Sequence, residues 1–316
     1  MRALLALALT TLLLPTAAAQ RDTGFDLLRL EPSARASALA GTVGSAPNDD
    51  PASFYYNPAL LDEAMHRGLS VTYLNHLADV NAGFATYART VDGIGTVAAG
   101  LRYLSYGDFA RTAEDGTAEG STFGAGEAAL SVSASRPLTP RLQGGATLHA
   151  AFAWLDDASA QAVAADVGVL YAVPSQLLHL SASIHNVGIV ASSLGSTDDT
   201  LPVDLRVGVS KGLRYIPLTI TLMGYDLTEF SSEGSALDEA TRHIALGGEF
   251  RFGEAVRARL GYNPRRHDEL ATGDRLDLAG LSLGFGLALR RFGFDYAFNS
   301  WSQTGGLHQL SIRTRL

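Results

Sequence analysis

The sequence predicts an all-β protein, a fourteen-stranded antiparallel transmembrane β-barrel with a short N-terminal helical plug. Three observations carry that prediction. From Leu69 onward apolar residues alternate with small or polar ones at a period of two. Long and short links alternate between the segments, as in an up-and-down barrel with one elaborate and one plain rim. The large members of the alternation stay apolar in segment after segment, where a soluble sheet would turn charge outward.

At the N-terminus, Arg2, the apolar run Ala3 to Leu14 and Ala17-Ala18-Ala19 follow the charged, apolar and small-residue order of a secretory signal peptide. Residues 1–19 are therefore read as a leader, 20–67 as a plug or hatch, and 68–316 as the barrel. Within the hatch, Pro32 to Thr42 reads as a short helix of small residues. Asn57 to Met65 reads as a second helix, with Pro58 at its first turn, where the missing amide is harmless. A half-apolar piece of this size has too little core to stand alone, and the inside of a barrel offers a surface to pack on.

The strands are placed near Leu69, Ala82, Gly95, Phe123, Arg141, Ala162, Leu177, Pro202, Tyr215, Arg242, Ala255, Asp277, Phe292 and Leu307. Their two faces separate cleanly. Leu148, Ala150 and Phe152 share one face, while Thr147 and His149 share the other; Leu178, Leu180 and Ile184 oppose His179, Ser183 and His185. Short links fall at TVDG, RPLTP, VPSQ, SKGLR, RFGEA and LRRFG. GDFARTAEDGTAEGS, GIVASSLGSTDDT, TEFSSEGSALDEA and NPRRHDELATGDR are read as long polar loops, with shorter ones at LADV, DDASAQ and SWSQTGG.

Two other architectures fit less well. A soluble β-sandwich also alternates, but it has no reason to keep one plain and one elaborate rim. A helical membrane protein is suggested by Val167 to Thr197, which carries no Asp, Glu, Lys or Arg. Pro174, His179, His185 and Asn186 interrupt that stretch, and its apolar residues recur at every second position, so two strands joined at VPSQ describe it better.

Composition excludes several functions. The formal net charge is −8, which gives no electrostatic reason to expect nucleic acid. There is no cysteine, hence no lipoprotein anchor, thiol nucleophile or thiolate metal site. No phosphate-cradling loop or nucleophile elbow occurs, and neither a catalytic site nor a cofactor is expected. His179 and His185 share a strand face, but six residues separate them by roughly 20 Å, too far to grip one metal ion. With His149, Asp166 and Arg206 they are candidate lumen-lining residues. Lys211 is the only lysine; Arg136, Arg141, Arg214, Arg290 and Arg291 gather at the short-turn rim, while Asp156-Asp157 and Asp198-Asp199 sit in the long loops. Long acidic loops would face outward, toward a partner protein or cation-bridged lipopolysaccharide.

The aromatic run DDPASFYYNPALL, Asp49 to Leu61, is the strongest local motif. Phe54, Tyr55 and Tyr56 supply an apolar body with polar tips, and Asn57-Pro58-Ala59 ends an extended segment and starts a helix, so the six are the expected docking motif of the plug. With about fourteen strands behind it, this hatch resembles the FadL-like outer-membrane superfamily. SARASALAG, DDPASFYYNPALL and LSVTYLNHLADV most resemble the PorV/PorQ branch of the type IX secretion system, on the PorQ side, over about sixty N-terminal residues. The resemblance implies an outer-membrane scaffold that works beside PorV, the sortase-like PorU and PorZ in attaching secreted cargo at the cell surface, and is not itself an enzyme. The alternative is the activity of the wider FadL-like group, transport of hydrophobic small molecules. The inward faces, mainly Gly, Ala and Ser, favour the scaffold because they offer no aromatic-rich interior for a greasy ligand.

Overall fold

The computed structural model describes residues 25–76, 80–112, 117–195, 199–229, 236–272, 277–301 and 305–316. The leader at 1–19 and the first hatch residues lie outside them, as does Asp198. The strands are Gly68–Asn75 (β1), Asn81–Val91 (β2), Gly95–Thr112 (β3), Ala118–Thr139 (β4), Leu142–Leu155 (β5), Ala158–Val173 (β6) and Leu178–Ser192 (β7). Asp204–Gly212 (β8), Leu218–Gly224 (β9), Ile244–Phe252 (β10), Val256–Tyr262 (β11), Leu281–Leu289 (β12), Phe292–Ser300 (β13) and Gly306–Arg315 (β14) complete the wall. Each strand pairs antiparallel with its chain neighbours, and β14 returns to β1 in register from Gly68 opposite Arg315 to Asn75 opposite His308. The fourteen strands form a closed barrel, so no strand edge is left unpaired, which is what hydrocarbon demands of a non-helical chain.

The burial pattern is inverted relative to a soluble protein. On β4 and β5, Val132 and Leu148 point outward, 62% and 64% exposed, while Ser131, Ser133, Thr147 and His149 are buried inside. Tyr171, Tyr215, Phe252 and Phe292 stand exposed toward the short-turn end, and Tyr73, Tyr103 and Phe152 toward the other, as aromatic residues do at membrane interfaces. A wall that is apolar outside and polar inside matches a barrel that spans a bilayer.

The wall is uneven. β3 and β4 run for 18 and 22 residues, where about 9–11 suffice to cross a membrane, whereas β8 to β14 have 7 to 10. Much of the expected loop GDFARTAEDGTAEGS is therefore strand. Asp108, Phe109 and Ala110 pair with Gly124, Phe123 and Thr122, the two Phe rings stack at 5.5 Å, and the Arg111 guanidinium lies 5.6 Å over Phe123 while pairing with Asp156. These cross-strand contacts keep a polar hairpin paired outside the membrane. DDASAQ likewise shrinks to a two-residue turn between β5 and β6, with Asp156 at φ 55°, so Asp156-Asp157 is not in a long loop. Two of the other expected loops contain helices, Ala236–Arg242 and Pro264–Leu270; Asn263 caps the second, accepting from the Arg266 amide at 3.0 Å.

Inside the barrel the hatch runs from Phe25 at the loop-side end to Arg67 at the short-turn end. Its helix Ala34–Ala38 (α1) is shorter than expected, because Ala40 and Gly41 take left-handed conformations at φ 52° and 79° and the Gly41 amide caps back onto the Ala36 carbonyl. The expected second helix is instead two 3₁₀ turns, Pro58–Leu60 and Glu63–Met65, separated by an extended Leu61. The segment before Asn57 is not extended either. Asp50 accepts from the Ala52 amide at 3.0 Å and, with Pro51 at the first position, starts another 3₁₀ turn over Pro51–Tyr55.

Candidate functional site: the docked hatch and the luminal pocket

Phe54, Tyr55, Tyr56, Asn57, Pro58 and Ala59 are all buried between hatch and wall. The Phe54 and Tyr55 rings lie 4.0 Å apart, in a cluster with Leu39, Val43, Leu61 and Met65 of the hatch and Ala88 and Ala98 of β2 and β3. Asn57 ties the segment together: its Oδ1 accepts from the Ala59 amide at 2.9 Å, and its Nδ2 donates to the carbonyls of Gly44 at 3.1 Å and of Val169 on β6 at 3.2 Å. The wall is shaped to receive it. A Cβ on Gly168 would sit 2.1 Å from Asn57 Oδ1, and one on Gly145 would sit 2.5 Å from the Pro58 carbonyl group. Small inward residues are thus the footprint of the hatch.

Three of the candidate lumen residues meet beside that motif. Asp166 Oδ2 lies 2.9 Å from His149 Nε2 and 3.1 Å from His185 Nδ1, and its Oδ1 accepts from the Asn186 amide at 2.8 Å. Ser131 and Ser183 hydroxyls take up the other ring nitrogens at 2.7 and 2.8 Å. A register shift at Asp166, with Asn186 at φ 57°, turns the carboxylate toward both rings. Arg206 pairs with Asp204 nearby. His179 is half-buried opposite Ser210, farther toward the short-turn rim, and does not join them. Among the described residues no group of three His, Asp or Glu side chains has the arrangement of a metal site.

Sequence reasoning missed a second buried network. Arg35 of α1 reaches Glu249 at 3.0 Å; Arg259 joins Glu249 at 2.7 Å to Asp295 at 2.6 Å; Arg313 contacts Asp295 at 2.9 Å and also pairs with Asp49. This alternating ladder of three arginines and three carboxylates binds the hatch, at Arg35 and Asp49, to β10, β11, β13 and β14. Its trace in the sequence is the inward parity of Glu249, Arg259, Asp295 and Arg313 on faces otherwise occupied by small residues.

Above the docked segment, at the loop-side end, lies a cavity of about 270 Å³ lined by Leu28 to Pro32, Tyr55, Tyr56, Arg102 and the ends of β8 to β11. Burial pushes the phenols of Tyr55 and Tyr56 above their ordinary pKa, and the Glu31 and Asp50 carboxylates add to the rise at Tyr56. Beside the cavity the interior is greasier than the expected Gly, Ala and Ser lining. Phe25, Leu27 and Leu28 pack on inward Leu74, Phe84, Leu104 and Leu307, with Trp301 and Tyr106 at the edge. These large residues are confined to the loop-side third, so they are outnumbered in the strands as a whole. At the opposite mouth a recess of about 700 Å³ is flanked by Arg67, Arg290, Arg291, Arg313 and Arg315.

No protein-family model matches the chain, and no curated protein matches it. Solved structures do. A mutant TodX monoaromatic hydrocarbon channel aligns over 92% of this chain and 100% of its own, with a TM-score of 0.58 at 14% identity. The CymD monoaromatic hydrocarbon channel aligns over 93% and 99%, with a TM-score of 0.54 at 13% identity. The Pseudomonas putida toluene transporter TodX aligns over 94% and 98%, with a TM-score of 0.53 at 13% identity. At these identities the likeness is one of fold: the chain has the barrel of those channels over nearly its whole length.

Proposed function

We propose that this chain is a FadL-like outer-membrane barrel that passes small molecules through its lumen, with the hatch setting the passage. The observation that carries this reading is the loop-side cavity, open to cargo beside the Phe84–Leu104 apolar cluster and floored by the docked hatch. The fold neighbours, described as a toluene transporter and monoaromatic hydrocarbon channels, support the same reading and suggest apolar cargo. The interior argument that favoured a scaffold is weakened by the apolar cluster. The test is uptake of radiolabelled toluene, a fatty acid and a small aromatic hydroxy acid into proteoliposomes holding the full chain. Flux above that of protein-free vesicles is expected for at least one; flux equal to the empty vesicles for all three overturns the proposal.

One observation favours the second reading, a scaffold of the type IX secretion system beside PorV, PorU and PorZ. The ladder anchors the hatch to the wall at two points, Arg35 and Asp49, as a permanent plug would need. Gentle crosslinking in intact cells followed by isolation from solubilised outer membrane would then bring secretion components along, and loss of the chain would release cargo from the surface. Neither reading makes the chain an enzyme.

A further inference from the structure

We infer that the loop-side cavity selects a compact carboxylate that also carries a hydroxyl or amino group, in preference to a bare hydrocarbon. The inference rests on the passage reading and concerns what that cavity holds. It begins with Arg102, which is 2% exposed and lines the cavity from β3.

The other arginines of the cavity have carboxylate partners. Arg266 meets Glu31 at 2.8 Å, Arg265 meets Asp226 and Glu269 at 2.8 Å, Arg206 meets Asp204, and Arg29 lies 3.8 Å from Glu229. Arg102 has no ion pair among the described residues. Its Nη1 donates to the Leu28 carbonyl at 3.3 Å, its Nη2 faces His149 Nδ1 at 3.4 Å, and its guanidinium lies 4.4 Å over the Tyr55 ring. Those contacts are long, and Nε has no hydrogen-bond partner among the described residues. A buried guanidinium held this loosely is costly to the protein and is the kind of group that a planar carboxylate satisfies in two parallel hydrogen bonds.

Two further atoms define the rest of the ligand. The Tyr56 hydroxyl and Glu31 Oε2, on residues that line the same cavity, are buried without hydrogen-bond partners among the described residues. The phenol can donate to a ligand carboxylate, and Glu31 can accept from a ligand hydroxyl or ammonium. A hydrocarbon in this space would leave Arg102 Nε, the Tyr56 hydroxyl and Glu31 Oε2 unpaired and remove any water that served them, so it is disfavoured on desolvation alone. The cavity, at about 270 Å³, is also at the small end of ligand sites, which favours a compact ligand. The Leu28 and Leu30 side of its lining suits a single ring or short branch.

Mandelate, an aromatic 2-hydroxy acid, is the probe; toluene and benzyl alcohol are the controls without a carboxylate. Calorimetric titration of the full chain in detergent is expected to show saturable mandelate binding at least tenfold tighter than that of either control. Arg102→Met, which keeps length and removes charge, is expected to weaken mandelate at least tenfold and leave the controls unchanged. Should Arg102→Met fail to show the heat-modifiable gel mobility of a folded barrel, Tyr56→Phe serves instead, with a severalfold loss expected for mandelate alone. Absence of mandelate binding to the unmodified chain, or equal binding by the folded variants, overturns the inference. Proteoliposome flux separates it from the reading beneath it. Mandelate bound but nothing transported counts against passage only, whereas toluene transported with no mandelate bound counts against this inference only.

Discussion

Asn57→Ala tests whether the aromatic motif is a docked structure or an ordinary turn. The side chain is fully buried and makes three hydrogen bonds, one capping the Ala59 amide and two to the carbonyls of Gly44 and Val169. Loss of such a cap costs about 1 kcal/mol. Leaving a buried carbonyl without its donor costs about 1–3 kcal/mol, less where water can enter. With two carbonyls losing a donor the total is about 3–7 kcal/mol against hatch docking, which raises the undocked population by about a hundredfold or more, since each ~1.4 kcal/mol is a factor of ten. The assay is hydrogen exchange of the 51–60 backbone amides in detergent, with the β4–β5 ladder amides as internal reference. Acceleration confined to the hatch is expected. A companion change sharpens the test: Gly168→Ala drives a methyl into Asn57 Oδ1 and should loosen the same amides, an overpacking cost of about 1–3 kcal/mol. In the Asn57→Ala background the Oδ1 clash is gone and Pro58 Cδ at 3.1 Å is the close neighbour left, so Gly168→Ala should then cost less. Hatch amides within threefold of the unmodified protein in both single variants, or strictly additive effects in the double, would refute the reasoning.

Asp295→Ala removes the carboxylate shared by Arg259 and Arg313 and leaves each buried guanidinium with one carboxylate, Glu249 and Asp49 respectively; a loss of about 3 kcal/mol is expected in urea unfolding from lipid vesicles. Leu148→Arg puts a charge on the lipid face near the middle of β5 and should cost about 2–4 kcal/mol by the same measurement. Changing Tyr55 and Tyr56 together to alanine should make the N-terminal segment protease-sensitive while the strands stay resistant, and unchanged resistance would count against docking through those rings.

The strand count was legible because each strand of the wall faces two different environments. Alternation of Ser131 and Ser133 with Leu130 and Val132 is a local signal, readable without knowing any partner. Where the environment changes, the signal fails. Beyond the membrane the outer face of the β3–β4 hairpin no longer needs apolar residues, so its polar composition reads as loop although Phe109 still pairs with Phe123. The helices at 236–242 and 264–270 were hidden for the same reason, too short and polar to show a stripe. Contacts between strands were hidden for another reason. Parity places His149, Asp166 and His185 on the inner face, but only register brings them together, and the register shift at Asp166 has no signature in the sequence. The ladder from Arg35 to Asp49 spans five elements that are far apart in the chain, so each of its charges looks solitary until the barrel closes.

The two halves of the hatch are held by different physics, and this bears on how one chain can be both plugged and permeable. Residues 49–65 sit in directional contacts, with Asn57 bonded to wall and hatch, Asp49 on Arg313, and Pro58 against the bare backbone of Gly145. Those contacts have one geometry and are lost by small displacements. Phe25 to Leu30 instead packs chiefly by burial against Leu74, Phe84 and Leu104, joined by the Leu27 amide on Glu127 at 2.9 Å and the Leu28 carbonyl on Arg102. Apolar burial is non-directional, so that half can shift over its bed at a smaller cost. It also lines one side of the cavity, opposite the floor that Tyr55 and Tyr56 supply. The ladder that argues for a permanent plug therefore holds the floor of the lumen and α1, while the segment beside the cavity is free of it, and a firmly docked motif does not by itself exclude passage.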